Sequence, residues 1–310
     1  MHVVVSFMAS QTPFLLQVNE MYAVGMLEVP EPFELFSTPE MSTLTDMMAT
    51  AVTTSMTTDI FAGFENGANR AWYNQGVFDV PSDEDEYSPF VSSFGGKGTQ
   101  TYYYTDNHLD PVLIFDSIAY EVTGRKWYQD AQAGGAHWTD VYTYVSPSEA
   151  NSPTTGLSVV VPLYDQFANF VGVIGSDLHL EFLGQGLASL ADSMRAGTII
   201  YIAESTQGNP MIAASIPGVS IDRNGRQVSS FECDDDTIRM SAISLASASR
   251  DELTESLITA EGYWIQAKSI DGAGAINFAG GKQWYIVTVE PAWCEDSGEK
   301  SFSYSFSEIF

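Results

Sequence analysis

The chain has 310 residues, and its composition and charge already narrow the class of protein to which it can belong. Hydrophobic residues make up 45% and aromatic residues 13%, which excludes a disordered chain and allows a sizeable core in about two domains. Asp and Glu number 40 against 12 Lys and Arg, a formal net charge of −28. Because so anionic a surface is repelled by phosphate backbones, we expect no nucleic-acid partner.

The N-terminal part of the chain has two stretches of different character. Residues 1–37 mix apolar runs with prolines and show no clear period, so we assign no element to them. Over residues 38–63, apolar side chains recur at steps of three and four, which predicts one long helix that Ser42 or Thr43 caps and Gly63 ends. No window approaches the ~20 apolar residues of a transmembrane helix.

The middle of the chain predicts strands, a short helix and a hairpin. Residues 99–116 are rich in strand formers on either side of an Asp110–Pro111 turn. Residues 125–133 suit a helix that stops at Gly134, and 137–145 predict a strand. Residues 157–178 give the clearest hairpin, two β-branched apolar runs around a polar turn at 165–169, and 178–194 predict a helix.

The second half of the chain repeats this pattern. Residues 198–215 predict strand, turn and strand; a helix follows within 226–257, and three further strands cover 263–270, 272–280 and 282–293. Strands and helices do not alternate as βαβ units. We therefore predict an α+β fold with antiparallel sheets flanked by helices.

The stretch YEVTGRKWYQDA, residues 120–131, is the strongest candidate for a binding site. Arg125 offers planar paired donors that fit a carboxylate, and it lies among aromatic side chains that can wall a pocket. Asp177, at the end of the hairpin, could hold an ammonium group. This combination fits a zwitterion such as an amino acid; the alternative is a stacked surface arginine beside ordinary core aromatics.

Three motifs resemble those of double Cache domains, the extracytoplasmic sensor regions of chemoreceptors, sensor kinases and cyclases. They are RKWYQDA at 125–131, WTDVY at 138–142 and PLYDQFANFVGVIGSDL at 162–178. The resemblance covers residues 38–293 and implies two PAS-like modules with central antiparallel sheets beside a long N-terminal helix. It implies an unassigned segment at 1–37, the helix at 38–63, a membrane-distal module at 64–194, a membrane-proximal module at 195–293 and a polar tail at 294–310.

One subset of this family binds amino acids, and the resemblance to it implies roles for six residues. Tyr120, Arg125 and Trp127 would hold the ligand carboxylate. The ammonium would be held by Tyr128, Tyr142 and Asp177, with Tyr144 as a competing choice for the distal tyrosine.

The resemblance implies an extracytoplasmic sensor at the outer face of the plasma membrane, or a secreted protein, that binds an amino acid or related amine as the input to signalling. A membrane tether or signalling domain would lie outside the given chain, and the long helix would support a homodimer. The alternatives are a Cache module for an amine or purine, and a structural module without a small ligand, as in calcium-channel accessory subunits.

Motifs of catalysis and metal binding are sparse. The four histidines have no metal-binding spacing, and neither a nucleophile elbow nor a phosphate-binding loop is present. We therefore expect no enzyme activity, cofactor or metal in this chain, although a cyclase or kinase domain could lie outside it. The two cysteines, Cys233 and Cys294, predict either a disulfide or two buried free thiols.

Overall fold

A computed structural model describes most of the chain and divides it into two compact units. The described residues are 2–32, 43–54, 58–74, 87–88, 90–96, 98–144, 155–205, 208–222, 226–247, 258–260, 262–270 and 283–292. The first unit is drawn mainly from Phe7–Leu178 and the second mainly from His179–Ala273, with strand residues of the 283–292 segment.

The helices are α1 (His2–Ala23), α2 (Thr43–Thr54), α3 (Lys126–Gly134), α4 (Leu180–Asp192) and α5 (Asp236–Ser247). The strands of the first unit are β1 (Asp59–Phe64), β2 (Asn69–Tyr73), β3 (Val91–Gly96), β4 (Thr99–Thr105), β5 (Pro111–Ala119), β6 (His137–Trp138), β7 (Tyr142–Thr143), β8 (Thr155–Tyr164) and β9 (Phe170–His179). Those of the second unit are β10 (Ile199–Glu204), β11 (Met211–Ala214), β12 (Ile258–Ala260), β13 (Tyr263–Ile270) and β14 (Trp284–Pro291).

The first unit is built on a nine-stranded sheet in the order β5-β4-β3-β2-β1-β9-β8-β6, with β7 paired to β8. The predicted hairpin is confirmed as β8 and β9. Its turn is fixed by Asp165, whose Oδ1 accepts hydrogen bonds from the backbone N–H groups of Phe167 and Asn169, both at 2.8 Å. Ala168 takes the left-handed conformation that closes the turn, with φ of 62°.

The prediction of one helix over 38–63 is wrong. Helix α2 covers only Thr43–Thr54, and residues from Asp59 onward form β1. Strand β1 lies between β2 and β9 in the middle of the sheet and is buried on both faces. Its sequence is therefore a continuous apolar run, which periodicity cannot distinguish from a buried helix segment.

The long N-terminal helix of the predicted fold class lies instead at α1, a helix of 22 residues within the segment 1–37, for which the sequence predicts no element. Leu15, Val18 and Tyr22 form its buried side, and the Tyr22 ring lies 6.1 Å from the ring of Phe64, between centroids. Because Pro13 lies inside this helix and proline is disfavoured at such positions, helix propensity does not predict it. With this correction, the predicted α+β class with antiparallel sheets is confirmed.

The two faces of the large sheet have different partners. Ile60 and Ala62 are buried and point to the same face as Phe64, whose ring meets Tyr22 of α1. Asp59 and Phe61 alternate with them and point to the opposite face, which we call the α3 face. Residues 120–134 cover the α3 face: the Phe61 and Trp127 rings meet edge to face with centroids 4.6 Å apart.

The second unit has a five-stranded sheet in the order β11-β10-β14-β13-β12. Helix α4, which the sequence prediction assigned to the first module, contacts β10 and β11, and α5 contacts β12 and β14. Strands β10, β11, β13 and β14 and helices α4 and α5 appear where the sequence predicts them, whereas the predicted strand at 272–280 lies outside the described residues.

Cys233 is fully buried in the core of the second unit, and within the described residues it forms no disulfide. Cys294 lies outside the described residues, so the choice between a disulfide and two buried free thiols stays a prediction. Among the helices in the described ranges, none has both the length and the hydrophobicity that a bilayer crossing requires.

Candidate ligand-binding site

Two carboxyl groups lie side by side on the α3 face. Asp59 and Asp177 are register partners on the antiparallel strands β1 and β9, and they are only 3% and 8% exposed. The backbone N–H of Asp177 donates to Asp59 Oδ1 at 3.1 Å. Thr58 Oγ1 donates to the Asp177 carbonyl at 2.6 Å and Ser176 Oγ to that of Asp59 at 2.8 Å, so both backbones are held in place.

A hydrogen-bonded chain links the Asp177 carboxyl to a tyrosine on the next strands. Ser158 Oγ, on β8, donates to Asp177 Oδ1, and the Tyr142 hydroxyl on β7 lies 2.6 Å from the same Ser158 oxygen. Ser158 is itself positioned by Thr139, whose Oγ1 accepts from its backbone N–H at 2.9 Å. Tyr142 and Asp177 thus act on one another through Ser158.

The pKa values of both carboxyl groups of the pair are raised. Burial raises the pKa of Asp59 to about 7, against a smaller lowering by its hydrogen bonds with Asp177. Burial also raises the pKa of Asp177 well above its usual range, and the neighbouring Asp59 charge raises it further. Two carboxylates this close and this dry cannot both ionise readily, so the pair shares a proton.

Five tyrosines, one buried and four half-buried, lie near the pair. Burial raises the pKa of each, and the charges of Asp59 or Asp177 add to the increase, which places the hydroxyls within electrostatic reach of the carboxyls. Gln100 extends this polar surface, because its Nε2 donates to Ser93 Oγ at 2.6 Å. The tyrosines come from β2, β4, the end of β5 and the β7 region: Tyr73, Tyr102, Tyr120, Tyr142 and Tyr144.

Arg125 is the cation of this region. It is half-buried at the residue before α3, and its guanidinium carbon lies 5.1 Å from the centroid of the Tyr120 ring. Within the described residues it forms no ion pair. The guanidinium donors therefore remain available to a ligand carboxylate, while the Tyr120 ring fixes their position.

Charges at both ends of the site affect the pKa of the Tyr120 hydroxyl. Burial raises its pKa to about 12; the Arg125 charge and a hydrogen bond with Trp127 oppose this, whereas Asp177 and Asp59 reinforce it. A positive and a negative group thus act on one hydroxyl from within a single polar region.

Trp127 walls this region, and Tyr128 lies beside it. A Cβ added at Gly63 would lie 2.9 Å from the Trp127 ring, so glycine on β1 is what lets the indole approach the sheet. The Tyr128 hydroxyl is buried, and no described residue forms a hydrogen bond with it. Its ring centroid lies 5.7 Å from that of Phe170, and the charge that contributes to its pKa is that of Glu65.

The structure therefore gathers Tyr120, Arg125, Trp127, Tyr142 and Asp177 in one region of the α3 face, with Tyr144 beside Tyr142 at 4.9 Å between ring centroids. The hydroxyl of Tyr128 is directed elsewhere. Tyr144 donates to the carbonyl of Leu157 at 2.9 Å. The roles of these residues in binding a ligand stay predictions.

Sequence reasoning missed Asp59, Tyr73 and Ser158. Asp59 fell inside the wrongly predicted helix, and a strand beginning there would have drawn notice to a second carboxyl at a sheet end. Ser158 lies in the predicted hairpin, but only the pairing of β8 with β9 brings it to Asp177.

Residues 68–185 match the family described as methyl-accepting chemotaxis protein-like, first PDC sensor domain. The match includes the candidate-site residues from Tyr73 to Asp177 but not Asp59, and it agrees with the predicted resemblance to a sensor domain in this segment. A search of curated protein sequences found no match. In the described part of the chain, no group of three or more His, Cys, Asp or Glu is arranged to hold a metal ion.

Several solved structures are similar. The ligand-binding domain of the Pseudomonas aeruginosa PAO1 amino-acid chemoreceptor PctC, in complex with GABA, has 13% identity over 93% of this chain and 92% of that one, with a TM-score of 0.45. That of the Pseudomonas fluorescens chemoreceptor CtaA, in complex with L-isoleucine, has 14% identity over 93% and 86%, with a TM-score of 0.48. The periplasmic sensory domain of the Campylobacter jejuni chemoreceptor Tlp1 has 11% identity over 96% and 91%, with a TM-score of 0.48.

Proposed function

We propose that the first unit binds a free amino acid non-covalently on its α3 face, and that this binding is the input step of a sensor. The observation that carries the proposal is that the α3 face holds both an Arg125 guanidinium, 5.1 Å from the Tyr120 ring centroid, and an Asp177 carboxyl held by Ser158 and Tyr142. A free amino acid carries its carboxylate and ammonium a few ångströms apart, so a single site with both complementary charges suits it.

Each end of the ligand has a chemically matched partner. The Arg125 guanidinium binds the ligand carboxylate through two parallel N–H donors, with the Trp127 ring as a flat wall beside it. Asp177 accepts from the ammonium, and the Tyr142–Ser158 chain holds its carboxyl in orientation. Such charge-assisted hydrogen bonds are stronger than neutral ones, particularly where protein excludes water.

The sensory role and the extracytoplasmic location are supported by the family match of residues 68–185. The function is recognition, not catalysis: the site offers a fixed cation and a carboxyl pair. A ligand would signal by preferring one of two conformations, since binding shifts an equilibrium only by its difference in affinity.

Titration calorimetry with the twenty amino acids tests the proposal. Arg125→Ala is expected to abolish binding of whichever amino acid binds the wild type. Lys126→Ala is the matched control, because it removes the adjacent cation, which is exposed and pairs with Asp130 in the same helix. Retained affinity in Arg125→Ala, or no binding of any amino acid to the wild type, contradicts the proposal.

A second candidate is an amine without a carboxylate, which is favoured by two carboxyl groups beside the one cation that the described residues place in this region. Such a ligand would need Asp177 but not Arg125. Titration of a panel of mono- and diamines against Arg125→Ala and Asp177→Asn separates the two functions, because only an amino acid loses its affinity in both variants.

A further inference from the structure

The carboxyl of Asp59 has no part in the six-residue site expected from the sequence, yet it occupies the centre of the structure's polar region. It is the register partner of Asp177, it is 3% exposed, and its Oδ1 accepts from the Asp177 backbone. Alternation along β1 directs its side chain to the α3 face, the same side as that of Asp177.

The titratable groups that act on this carboxyl, or on which it acts, come from several strands. They are the Asp177 carboxyl from β9 and the hydroxyls of five tyrosines from β2, β4, the end of β5 and the β7 region: Tyr73, Tyr102, Tyr120, Tyr142 and Tyr144. Burial raises the pKa of Asp59, and its hydrogen bonds with Asp177 lower it. The Arg125 charge acts on Tyr120. The negative end of the site thus contains two carboxyl groups, which lie beside each other on β1 and β9.

We propose that Asp59 is a second ammonium-binding residue, and that the ligand's primary ammonium group donates to Asp59 and Asp177 and replaces the proton that the two carboxyls share. This inference rests on the proposed function and narrows its ligand class to primary amines. A primary ammonium has three N–H donors, which suit two carboxylates and one tyrosine hydroxyl.

The exchange is balanced in atoms and charge. The protonated pair and the ammonium ion combine into an ion-paired complex with both carboxylates ionised, and the displaced proton passes to the buffer. Binding therefore releases about one proton near neutral pH. Below pH ~7, where Asp59 also gains a proton, binding displaces up to about two protons, and the affinity falls by up to about a hundredfold per pH unit.

The test uses the full chain and the amino acid that binds best in the calorimetric panel. Titrations at one pH in buffers of different ionisation enthalpy give the number of protons released. We expect the wild type to release about one proton for each amino acid bound, and Asp59→Asn to release at most about half as much. Asp116→Asn is the control: it removes a carboxylate of β5, and its proton release should equal that of the wild type. The N-methyl and N,N,N-trimethyl forms of the same amino acid should bind at least about tenfold more weakly to the wild type, because each methyl group removes an N–H donor.

The wild type alone keeps the proposal falsifiable if Asp59→Asn does not fold. Binding of the amino acid without proton release, or equal affinity for its trimethylated form, overturns the role of Asp59 and leaves the proposed function standing. If no amino acid binds, the proposed function fails and this inference fails with it. If folded Asp59→Asn releases as many protons as the wild type, the proton comes from another group, and the role of Asp59 is again overturned.

Discussion

The carboxyl of Asp59 should make the protein less stable as the pH rises, and replacing it should remove that loss. Asp59→Asn keeps the side-chain shape and an oxygen that can accept from the Asp177 N–H, but it cannot ionise. The pKa of Asp59 is raised from 3.8 to about 7 in the folded protein, so the folded state holds this proton more tightly than the unfolded state. Its contribution to stability is fully present below pH ~4 and is lost as the pH rises through about 7.

The size of this loss follows from the shift of about three pKa units. At ~1.4 kcal/mol per unit, ionising Asp59 costs at most about 4 kcal/mol of the free energy of unfolding at alkaline pH. Urea unfolding of the wild type and Asp59→Asn at about pH 5 and about pH 8 measures about two of these units, ~2.7 kcal/mol. We expect the free energy of unfolding of Asp59→Asn, relative to that of the wild type, to be higher at about pH 8 than at about pH 5.

The control is Asp116→Asn, which removes one negative charge from the same unit and corrects for general repulsion in a chain of net charge −28. Its difference from the wild type should change less between the two pH values than that of Asp59→Asn. If Asp59→Asn is destabilised equally at both, the carboxyl pair does not hold its proton in the way described, and the reasoning is refuted.

Two further substitutions probe the packing and the hydrogen bonds of the site. Gly63→Ala should lower the free energy of unfolding, measured in urea, by about 1–3 kcal/mol, because its Cβ would lie 2.2 Å from Val122 Cγ2. Gly134→Ala is the control and should not lower it, because nothing lies within 4 Å of a Cβ at that position. An equal loss of stability in both variants would contradict the packing of Gly63. Ser158→Ala should weaken amino-acid binding by about 1–3 kcal/mol in calorimetry, because Asp177 loses its hydroxyl donor, and unchanged affinity would exclude this bond from the site.

The parts of the fold that the sequence predicts correctly are those with local signals. The β8–β9 hairpin has two β-branched runs around a turn that Asp165 closes, and α3 begins after Arg125 and ends at a glycine pair. In both cases the residues that decide the structure are neighbours along the chain, so a reading by period and turn chemistry suffices.

The parts that it misses depend on distant pairing. Strand β1 is a central strand only because β2 and β9 pair with it on either side. The hydrogen bond between Asp177 and Asp59 joins residues 118 positions apart. No local pattern contains that contact, and so the sequence predicts one carboxyl for the site where the structure has two.

A structure of the first unit determined with its best-binding amino acid tests the central claim most directly. The account predicts that the ligand carboxylate lies within hydrogen-bond distance of the Arg125 guanidinium and that the ammonium contacts Asp177. A ligand bound away from the α3 face, or one whose carboxylate points away from Arg125, would contradict it.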